Sequence, residues 1–211
     1  MVVALAALVL AACAPAPAAV PPQTRQLIAV GAASSRTTHA SVRLWQRRGD
    51  CWRPVAGPWT ARVGWNGLSA HHREGDGTTP TGVFALDDTV YGSRPDPGVR
   101  YRYHRIACGD WWDEDASSPT YNTFRHVRCG LRPPFRAESE GLWKATVAYR
   151  YLIPIRYNAD PVVPGRGSAI FLHVQHPNPT NGCVSLREPQ LVQTLRWLRP
   201  GAHPRIAIRA G

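Results

Sequence analysis

Short segments of β type follow one another along most of the chain. Residues 27–30 form an apolar run, and residues 41–46 alternate apolar and polar side chains with a period of two. Such alternation is typical of strands with one buried face. The same signs predict further strands over residues 52–55 and 59–63, with a turn at Gly57-Pro58 between them, and over residues 83–86, 169–174 and 205–209. Residues 144–157 also alternate, which predicts one long strand or a bent pair around Pro154. The pattern indicates a mainly β domain.

One segment near the C-terminus has helical spacing instead. Its leucines recur every three or four positions within residues 188–198: Leu191, Leu195 and Leu198. Ser185 and Glu188 have the spacing of a capping box, and the Pro-Gly pair at residues 200–201 ends the segment. We therefore predict a short C-terminal helix that begins soon after Cys183. The positive end of its dipole would favour a thiolate at that cysteine.

The first residues have the composition of an export signal. Residues 1–12 are apolar but too few to cross a bilayer as a helix, and residues 10–13 (Leu-Ala-Ala-Cys) fit a lipobox. We predict a lipoprotein-type signal peptide over residues 1–12 and lipidation at Cys13, with ordinary secretory cleavage as the alternative. Residues 13–25, rich in Ala and Pro, predict an extended tether. One domain, over residues 26–211, would then lie at the outer face of the cytoplasmic membrane, held there only by the lipid.

The chain is strongly basic, with a formal net charge of +11 over 211 residues. Lys144 is its only lysine, so the positive charge is almost entirely arginine, spread from Arg25 to Arg209. The arginines form no recognisable nucleic-acid-binding module, and we expect no nucleic-acid partner. Two interpretations of the charge stay open: attraction to anionic polymers and head groups, or a compositional bias with solvated side chains.

Candidate chemistry is concentrated in residues 169–185. The predicted strand 169–174 carries His173, a proline-containing loop follows, and Gly182 then precedes Cys183. A thiol is mostly protonated at neutral pH, and a histidine within reach can take its proton. Gly182 leaves room for a substrate carbonyl, and backbone N–H groups near Cys183 can form an oxyanion hole. The spacing predicts a Cys/His acyl-transfer site, with a backbone carbonyl or a polar side chain orienting the imidazole.

Two alternatives concern the same residues. His176 lies three positions after His173 and is a rival for the role of base. His173, His176 and Cys183 are also possible zinc ligands, but three ligands on a proline-broken loop do not make a recognisable zinc motif. We expect neither a metal nor another cofactor.

The residues around Cys183 resemble a known family. A histidine, a loop and then Thr180-Asn181-Gly182-Cys183-Val184 are similar to the catalytic signature of the L,D-transpeptidases (YkuD-like domains) of bacterial cell walls. Upstream, residues 74–84 resemble that family's Thr-Pro-x-Gly-x-Phe segment. The resemblance extends from about Leu27 to the C-terminus. It implies a β-sandwich of the L,D-transpeptidase type with a short C-terminal helix.

The resemblance also implies a reaction. The thiolate of Cys183 would attack a peptidoglycan stem peptide, with His173 as the base. The N–H groups of Gly182 and Cys183, helped by Thr180 or Asn181, would hold the oxyanion. The thioester would pass to an amine in cross-linking or remodelling of the wall, or to water in an L,D-carboxypeptidase or peptidase. A non-catalytic wall-binding lipoprotein is a further alternative, and the sequence does not indicate an oligomeric state.

The resemblance places other residues near a substrate cleft. They come from the loop before the strand 83–86 and from two Tyr-Asn pairs: Glu74, Thr79, Tyr121, Asn122 and Tyr157. The chain departs from the family at Asn181, where many members have His, and at Ser185, where Arg is frequent. Arg187 is a candidate to replace that arginine. We interpret His71 and His72 as surface residues and the acidic residues 113–115 as a solvated loop.

Five cysteines are present, and paired cysteines are expected in an exported protein. With Cys13 assigned to lipid and Cys183 to chemistry, three remain. We predict a Cys108–Cys129 disulfide, worth about 3 kcal/mol by loop closure. Cys51 would be free and buried, although its pairing with either of the other two stays open.

Overall fold

The computed structural model describes residues 13–136 and 139–211, so the predicted signal peptide lies outside the described residues. Fifteen strands are assigned along this part of the chain: β1 (Gln26–Ala32), β2 (His39–Arg48), β3 (Cys51–Arg62), β4 (Leu68–Ser69), β5 (Thr79–Pro80), β6 (Gly82–Ala85), β7 (Thr89–Gly92), β8 (Arg102–Arg105), β9 (Asp110–Asp113), β10 (Thr123–His126), β11 (Glu140–Gly141), β12 (Leu152–Pro154), β13 (Phe171–Val174), β14 (Val184–Leu186) and β15 (Arg205–Ala210). The α-helix, α1, spans Glu188–Trp197. Three-residue 3-10 helices lie at Leu142–Lys144, Ala148–Arg150 and Pro200–Ala202.

Ten strands form one sheet, in the order β6-β15-β1-β2-β3-β14-β13-β12-β7-β8. Strands from both halves of this sheet contribute side chains to a single apolar core, among them Ile28, Val42, Ile206, Ile153, Leu172 and Val184. The sheet therefore curls around its core. The prediction of a mainly β fold of the L,D-transpeptidase type with one short C-terminal helix is confirmed.

Strand β3 joins two segments that the sequence pattern separates. The predicted turn at Gly57-Pro58 is wrong, because β3 runs without interruption through it and pairs with β2 on both sides. Register shifts near Val42 and Leu44 absorb the irregularity, as β-bulges do. Gly57 has a φ of +84°, and a methyl carbon there would lie 2.4 Å from the carbonyl oxygen of Val42. A glycine therefore lets this irregular strand stay in the sheet.

Helix α1 covers the edge of the core next to β13 and β14. It buries Leu191 and Leu195 against the main cluster, as its spacing predicts. The predicted capping box is absent: Arg187 is the N-cap and makes no side-chain capping bond, while Ser185 lies inside β14. In the described part of the chain, no helix has the length and apolar character needed to cross a membrane.

Residues 144–157, predicted as one long strand or as a bent pair around Pro154, have a different structure. Two 3-10 turns occupy Leu142–Lys144 and Ala148–Arg150, and only Leu152–Pro154 forms a strand, β12. Tyr149 is buried from a 3-10 turn, and Leu152 and Ile153 are buried on the short strand β12. The turn Ala148–Arg150 packs against β13 and brings Tyr149 toward the candidate site.

The N-terminal residues pack against the domain, which differs from the predicted tether. Ala18 and Val20 contact an apolar cluster containing Trp52, and Ala14 exchanges two backbone hydrogen bonds with Trp52. Cys13 is disulfide-bonded to Cys51. The prediction that Cys51 is free is therefore wrong. The sulfur of Cys13 cannot form both a lipid thioether and this disulfide, so the structure also conflicts with lipidation of Cys13.

The second disulfide joins Cys108 to Cys129, the pair that we predicted. It ties the segment before β9 to the segment after β10. The nearby acidic residues do not form a solvated loop: Asp113 is fully buried and accepts hydrogen bonds from the hydroxyls of Ser118 (2.5 Å) and Thr120 (2.7 Å). Its role in this fold is to organise the turn after β9.

Candidate active site

Cys183 and His173 lie on neighbouring strands. β13 and β14 are parallel, with His173 opposite Ser185 and Leu172 opposite Val184. Cys183 comes immediately before β14 and receives a hydrogen bond at its Sγ from the backbone N–H of Phe171 (3.3 Å). Side chains alternate along a strand, so Leu172 points into the main core while His173 shares the other face with Phe171. Both candidate catalytic side chains consequently line one cavity of about 590 Å³.

The imidazole of His173 is held in one orientation. Its Nδ1 lies 2.8 Å from the carbonyl oxygen of Val174, which can only accept a hydrogen bond. We therefore assign the proton to Nδ1, which leaves Nε2 with a lone pair. The ring of Tyr149 meets the imidazole edge to face, with ring centroids 5.9 Å apart. Burial lowers the pKa of His173 to about 4, so the ring is a neutral base at physiological pH.

Cys183 is buried, and its thiol is protonated. Its Sγ donates to the carbonyl oxygen of Ala169 (3.3 Å). Burial raises the pKa of the thiol well above its ordinary value, and the carboxyl groups of Glu140 and Glu114 raise it further. The predicted help from the helix dipole is not available, because β14 separates Cys183 from α1 and the dipole acts only within about a turn of the helix end.

The loop before Cys183 is fixed by hydroxyl groups. Thr180 Oγ1 donates to the carbonyl oxygen of Cys183 (2.6 Å), and Thr79 Oγ1 donates to the same atom (3.3 Å). Gly182 has a φ of +117°. Asn181 accepts a hydrogen bond from the indole of Trp65 (3.1 Å) and lines the cavity. The Thr180 hydroxyl thus fixes the backbone of Cys183, and its proton is not free to bind an oxyanion.

Glu74 lines the cavity, and its neighbours support it. Its Oε2 accepts hydrogen bonds from the hydroxyls of Ser168 (2.6 Å) and Tyr121. Asn122, at a φ of 60°, accepts from the backbone N–H of Ala169 (3.2 Å) and donates to the carbonyl of Tyr157 (3.1 Å). The structure brings these predicted cleft residues together. Of this group Glu74 reaches the cavity wall, whereas Tyr121, Asn122 and Tyr157 form the layer behind it.

Two other predicted residues lie away from the cavity. His176 is exposed on the loop between β13 and β14, and Arg187 is exposed at the N-terminus of α1. Neither lines the cavity that contains Cys183. The geometry therefore favours His173 over His176 as the partner of Cys183, and Arg187 does not replace the arginine that is frequent at position 185.

Several cavity residues gave no recognisable sequence signal. Glu140 accepts a hydrogen bond from the Tyr149 hydroxyl (2.5 Å), and burial raises the pKa of Glu140. Burial, reinforced by the charges of Glu140 and Glu74, raises the pKa of Glu114 to about 9. Lys144 lines the same cavity and lies over the Trp111 ring, 5.0 Å from its centroid. These groups come from separate turns, so only the tertiary fold reveals them.

His72 is a further residue that the sequence interpretation misplaced. It was predicted at the surface, but its side chain is buried and forms part of the cavity wall. The correction has a local cause: Asp76 and Thr78, in the following loop, hold its Nδ1. Within residues 13–136 and 139–211, no group of three or more His, Cys, Asp or Glu side chains is placed to hold a metal ion.

Comparison with known proteins identifies the family. The model of the YkuD L,D-transpeptidase catalytic domain matches residues 27–208, which is nearly the whole chain. The protein therefore belongs to the L,D-transpeptidase catalytic domain family. No curated protein and no solved structure matches it.

Proposed function

We propose that the protein is a cysteine-dependent L,D-transpeptidase that acts on peptidoglycan stem peptides. The observation that carries this proposal is the placement of Cys183 and His173 on one face of β13 and β14, in a cavity of about 590 Å³. A cavity of this volume is within the range of sites that hold a peptide-sized ligand. Membership of the family supports the reaction class.

The first half-reaction transfers the acyl part of the stem to the enzyme. The Cys183 thiol gives its proton to Nε2 of His173, and the sulfur attacks the carbonyl carbon that joins an L-centre to a D-residue. The C–N bond then breaks, and the departing amine takes the proton back from the imidazolium. His173 suits both steps, because Val174 holds its Nδ1 proton and leaves Nε2 free for transfer.

The resting thiol has to be activated during this reaction. Burial and two nearby carboxyl groups keep the proton on Cys183, while burial keeps His173 neutral. A thiolate–imidazolium pair is therefore not the resting state. Proton transfer is instead expected to accompany attack, as negative charge moves onto the substrate oxygen and its oxyanion donors.

The second half-reaction passes the acyl group to an acceptor. An amine from a neighbouring stem gives a cross-link, and water gives a shortened stem. Both outcomes use the same thioester and require no cofactor. We propose the amine as the physiological acceptor, in line with the family's transpeptidase activity.

We also propose that the protein works outside the cytoplasm. The two disulfides, Cys13–Cys51 and Cys108–Cys129, support this location, since disulfides persist in oxidising compartments. An exported enzyme would meet peptidoglycan there. The many arginines would favour association with anionic polymers of the wall.

Product analysis tests the proposed function. A tetrapeptide stem is incubated with the wild-type protein and with Cys183→Ala, in the presence of an amine acceptor. The proposal predicts release of the terminal D-residue and a stem–acceptor adduct from the wild type and neither from the variant. A folded wild type that binds stems but releases nothing would instead indicate a wall-binding protein. Release without any adduct, at every acceptor concentration, would indicate a carboxypeptidase.

A further inference from the structure

A second histidine lies in the wall of the cavity that contains Cys183. His72 is 5% exposed, and its ring edge adjoins the residue before the nucleophile: a methyl carbon on Gly182 would be 3.6 Å from His72 Cε1. Gly167 lies under the other edge, where a methyl carbon would be 2.4 Å from Nε2. Glycines at both positions leave space for the imidazole. The site thus has two imidazoles, His173 on β13 and His72 on the opposite loop.

Asp76 orients this second imidazole. His72 Nδ1 lies 2.9 Å from Asp76 Oδ1 and 3.1 Å from Thr78 Oγ1. Asp76 is itself fixed by the backbone N–H groups of Arg73 and Thr78, at 2.8 Å each. Burial alone would raise the pKa of Asp76, but the hydrogen bonds from Thr78 outweigh it and hold that pKa below its ordinary value. Asp76 is therefore a carboxylate.

This arrangement leaves Nε2 of His72 as a base. A carboxylate accepts hydrogen bonds, so the ring proton lies on Nδ1 and the lone pair on Nε2. None of the described residues hydrogen-bonds to Nε2. The groups around the ring are Asp76, Glu74 and the edge of Tyr157. Burial lowers the pKa of His72, and the charges of Asp76 and Glu74 oppose that effect, so the ring is a neutral acceptor at physiological pH.

We propose that His72, positioned by Asp76, is the general base for the acyl acceptor, whereas His173 serves Cys183. This inference rests on the proposed function, because it assigns a role within the same two-step reaction. In the second step the acceptor nitrogen attacks the thioester carbon, and Nε2 of His72 takes one N–H proton. The C–S bond then breaks, and its electron pair leaves with the sulfur. The sulfur takes up a proton from water to restore the thiol, and His72 gives its proton to water, so that no net proton is gained or lost.

The division of roles has a physical basis. His173 is buried next to Cys183, and that burial, which outweighs the hydrogen bond to the Val174 carbonyl, lowers its pKa to about 4. Such a base suits a proton exchanged over a short distance with a thiol. An amine acceptor must lose a proton while it enters from outside the acyl-enzyme. His72 lines both this cavity and a neighbouring surface pocket of about 370 Å³, so it lies where an acceptor would enter.

The test separates the two half-reactions in the full-length protein. His72→Gln and Asp76→Asn are compared with the wild type and with His203→Gln, a matched change at an exposed histidine that follows the 3-10 helix Pro200–Ala202 and lines neither pocket. Intact-protein mass spectrometry follows thioester formation from a tetrapeptide stem, and an amine acceptor is then added. We expect His72→Gln to form the thioester at the wild-type rate and to transfer it about 100-fold or more slowly. Asp76→Asn, which keeps the imidazole, should slow transfer less, and His203→Gln should not change it.

Hydroxylamine distinguishes a lost base from a distorted site. Because hydroxylamine is largely unprotonated at neutral pH and strongly nucleophilic, it should discharge the thioester of His72→Gln nearly as fast as that of the wild type. Transfer at the wild-type rate in His72→Gln would overturn the inference. So would an equal fall in thioester formation and transfer, or a thioester that hydroxylamine cannot discharge. If the folded wild type forms no thioester at all, the proposed function fails, and this inference fails with it; if His72→Gln does not fold, Asp76→Asn decides.

Discussion

Gly182 offers a demanding test of how the nucleophile is positioned. Its φ of +117° lies in a region that side-chain-bearing residues rarely adopt, and occupying it costs on the order of 1–3 kcal/mol. In Gly182→Ala the new methyl carbon would also lie 3.0 Å from the carbonyl oxygen of Thr78 and 3.1 Å from Cδ1 of Ile170. Both neighbours would have to move by a few tenths of an ångström. We therefore expect the variant to lose about 2–4 kcal/mol of unfolding free energy.

Gly49→Ala is the matched control. Gly49 has a φ of +57° but no heavy atom within 4 Å of an added methyl carbon. It therefore carries the conformational cost alone, about 1–2 kcal/mol. Urea unfolding of the two variants and the wild type gives both differences under one set of conditions. The excess loss in Gly182→Ala measures the contacts with Thr78 and Ile170 together with the greater strain of an alanine at a φ of +117°.

Activity should separate the two variants more strongly than stability. The backbone at Gly182 positions the N–H of Cys183 and its sulfur, and a displacement of about 1 Å at a reacting group can cost about 100-fold in rate. Thioester formation from a tetrapeptide stem should fall by about that factor in Gly182→Ala and stay at the wild-type rate in Gly49→Ala. Equal unfolding free energies for the two variants, with wild-type thioester formation in Gly182→Ala, would refute this account of the loop.

Three further predictions concern burial and cross-links. Because the folded pKa of His173, about 4, lies below the unfolded value near 6.5, the unfolded state binds more protons between these values. Urea titrations should show that His173 costs about 3 kcal/mol of stability as the pH falls from 6.5 to 4, and that His173→Gln is spared this part of the loss. Tyr149→Phe removes the hydroxyl that donates to the buried Glu140 and should cost about 1–3 kcal/mol in the same assay; no change at neutral pH would contradict that hydrogen bond. The paired change of Cys108 and Cys129 to Ser should cost about 3 kcal/mol, and an effect below about 1 kcal/mol would mean that the loop is held by other contacts.

The sequence predicted the parts of the fold that rest on local periodicity. The apolar alternation of β2 and the leucine spacing of α1 both depend on one buried face, and both elements formed where expected. The same rule failed for much of residues 144–157, since Tyr149 is buried in one apolar cluster from a 3-10 turn and Tyr151 is buried in another. Period-two spacing reports burial, and strand pairing depends on partners that are distant in sequence.

The residues of the candidate site also divide into those that the local sequence reveals and those that only the folded chain brings together. The order His173, loop, Gly182, Cys183 is visible in the sequence because the nucleophile and its base lie on neighbouring strands of one short unit. His72 was misplaced because its burial depends on Gly167 and Tyr157, which approach it only in the folded chain. The raised pKa of Glu114 arises in the same way, from residues brought together by separate turns.

The cysteines show how one assignment affects the others. Reserving Cys13 for lipid left an odd number and made Cys51 appear free. In the structure the N-terminal residues fold back along Trp52, which brings Cys13 to Cys51. No spacing rule predicts that return, because it depends on apolar contacts of Ala18 and Val20 with the domain.

The most direct test of the central claim is the mass of the intact protein after mixing with a tetrapeptide stem. The wild type should gain the mass of one acyl stem, and peptide mapping should place it on Cys183. His173→Ala should gain it far more slowly, and Cys183→Ala should gain nothing. A folded, reduced wild type that shows neither adduct nor product, or an adduct that persists in Cys183→Ala, would contradict the assignment of Cys183 as the nucleophile for stem peptides.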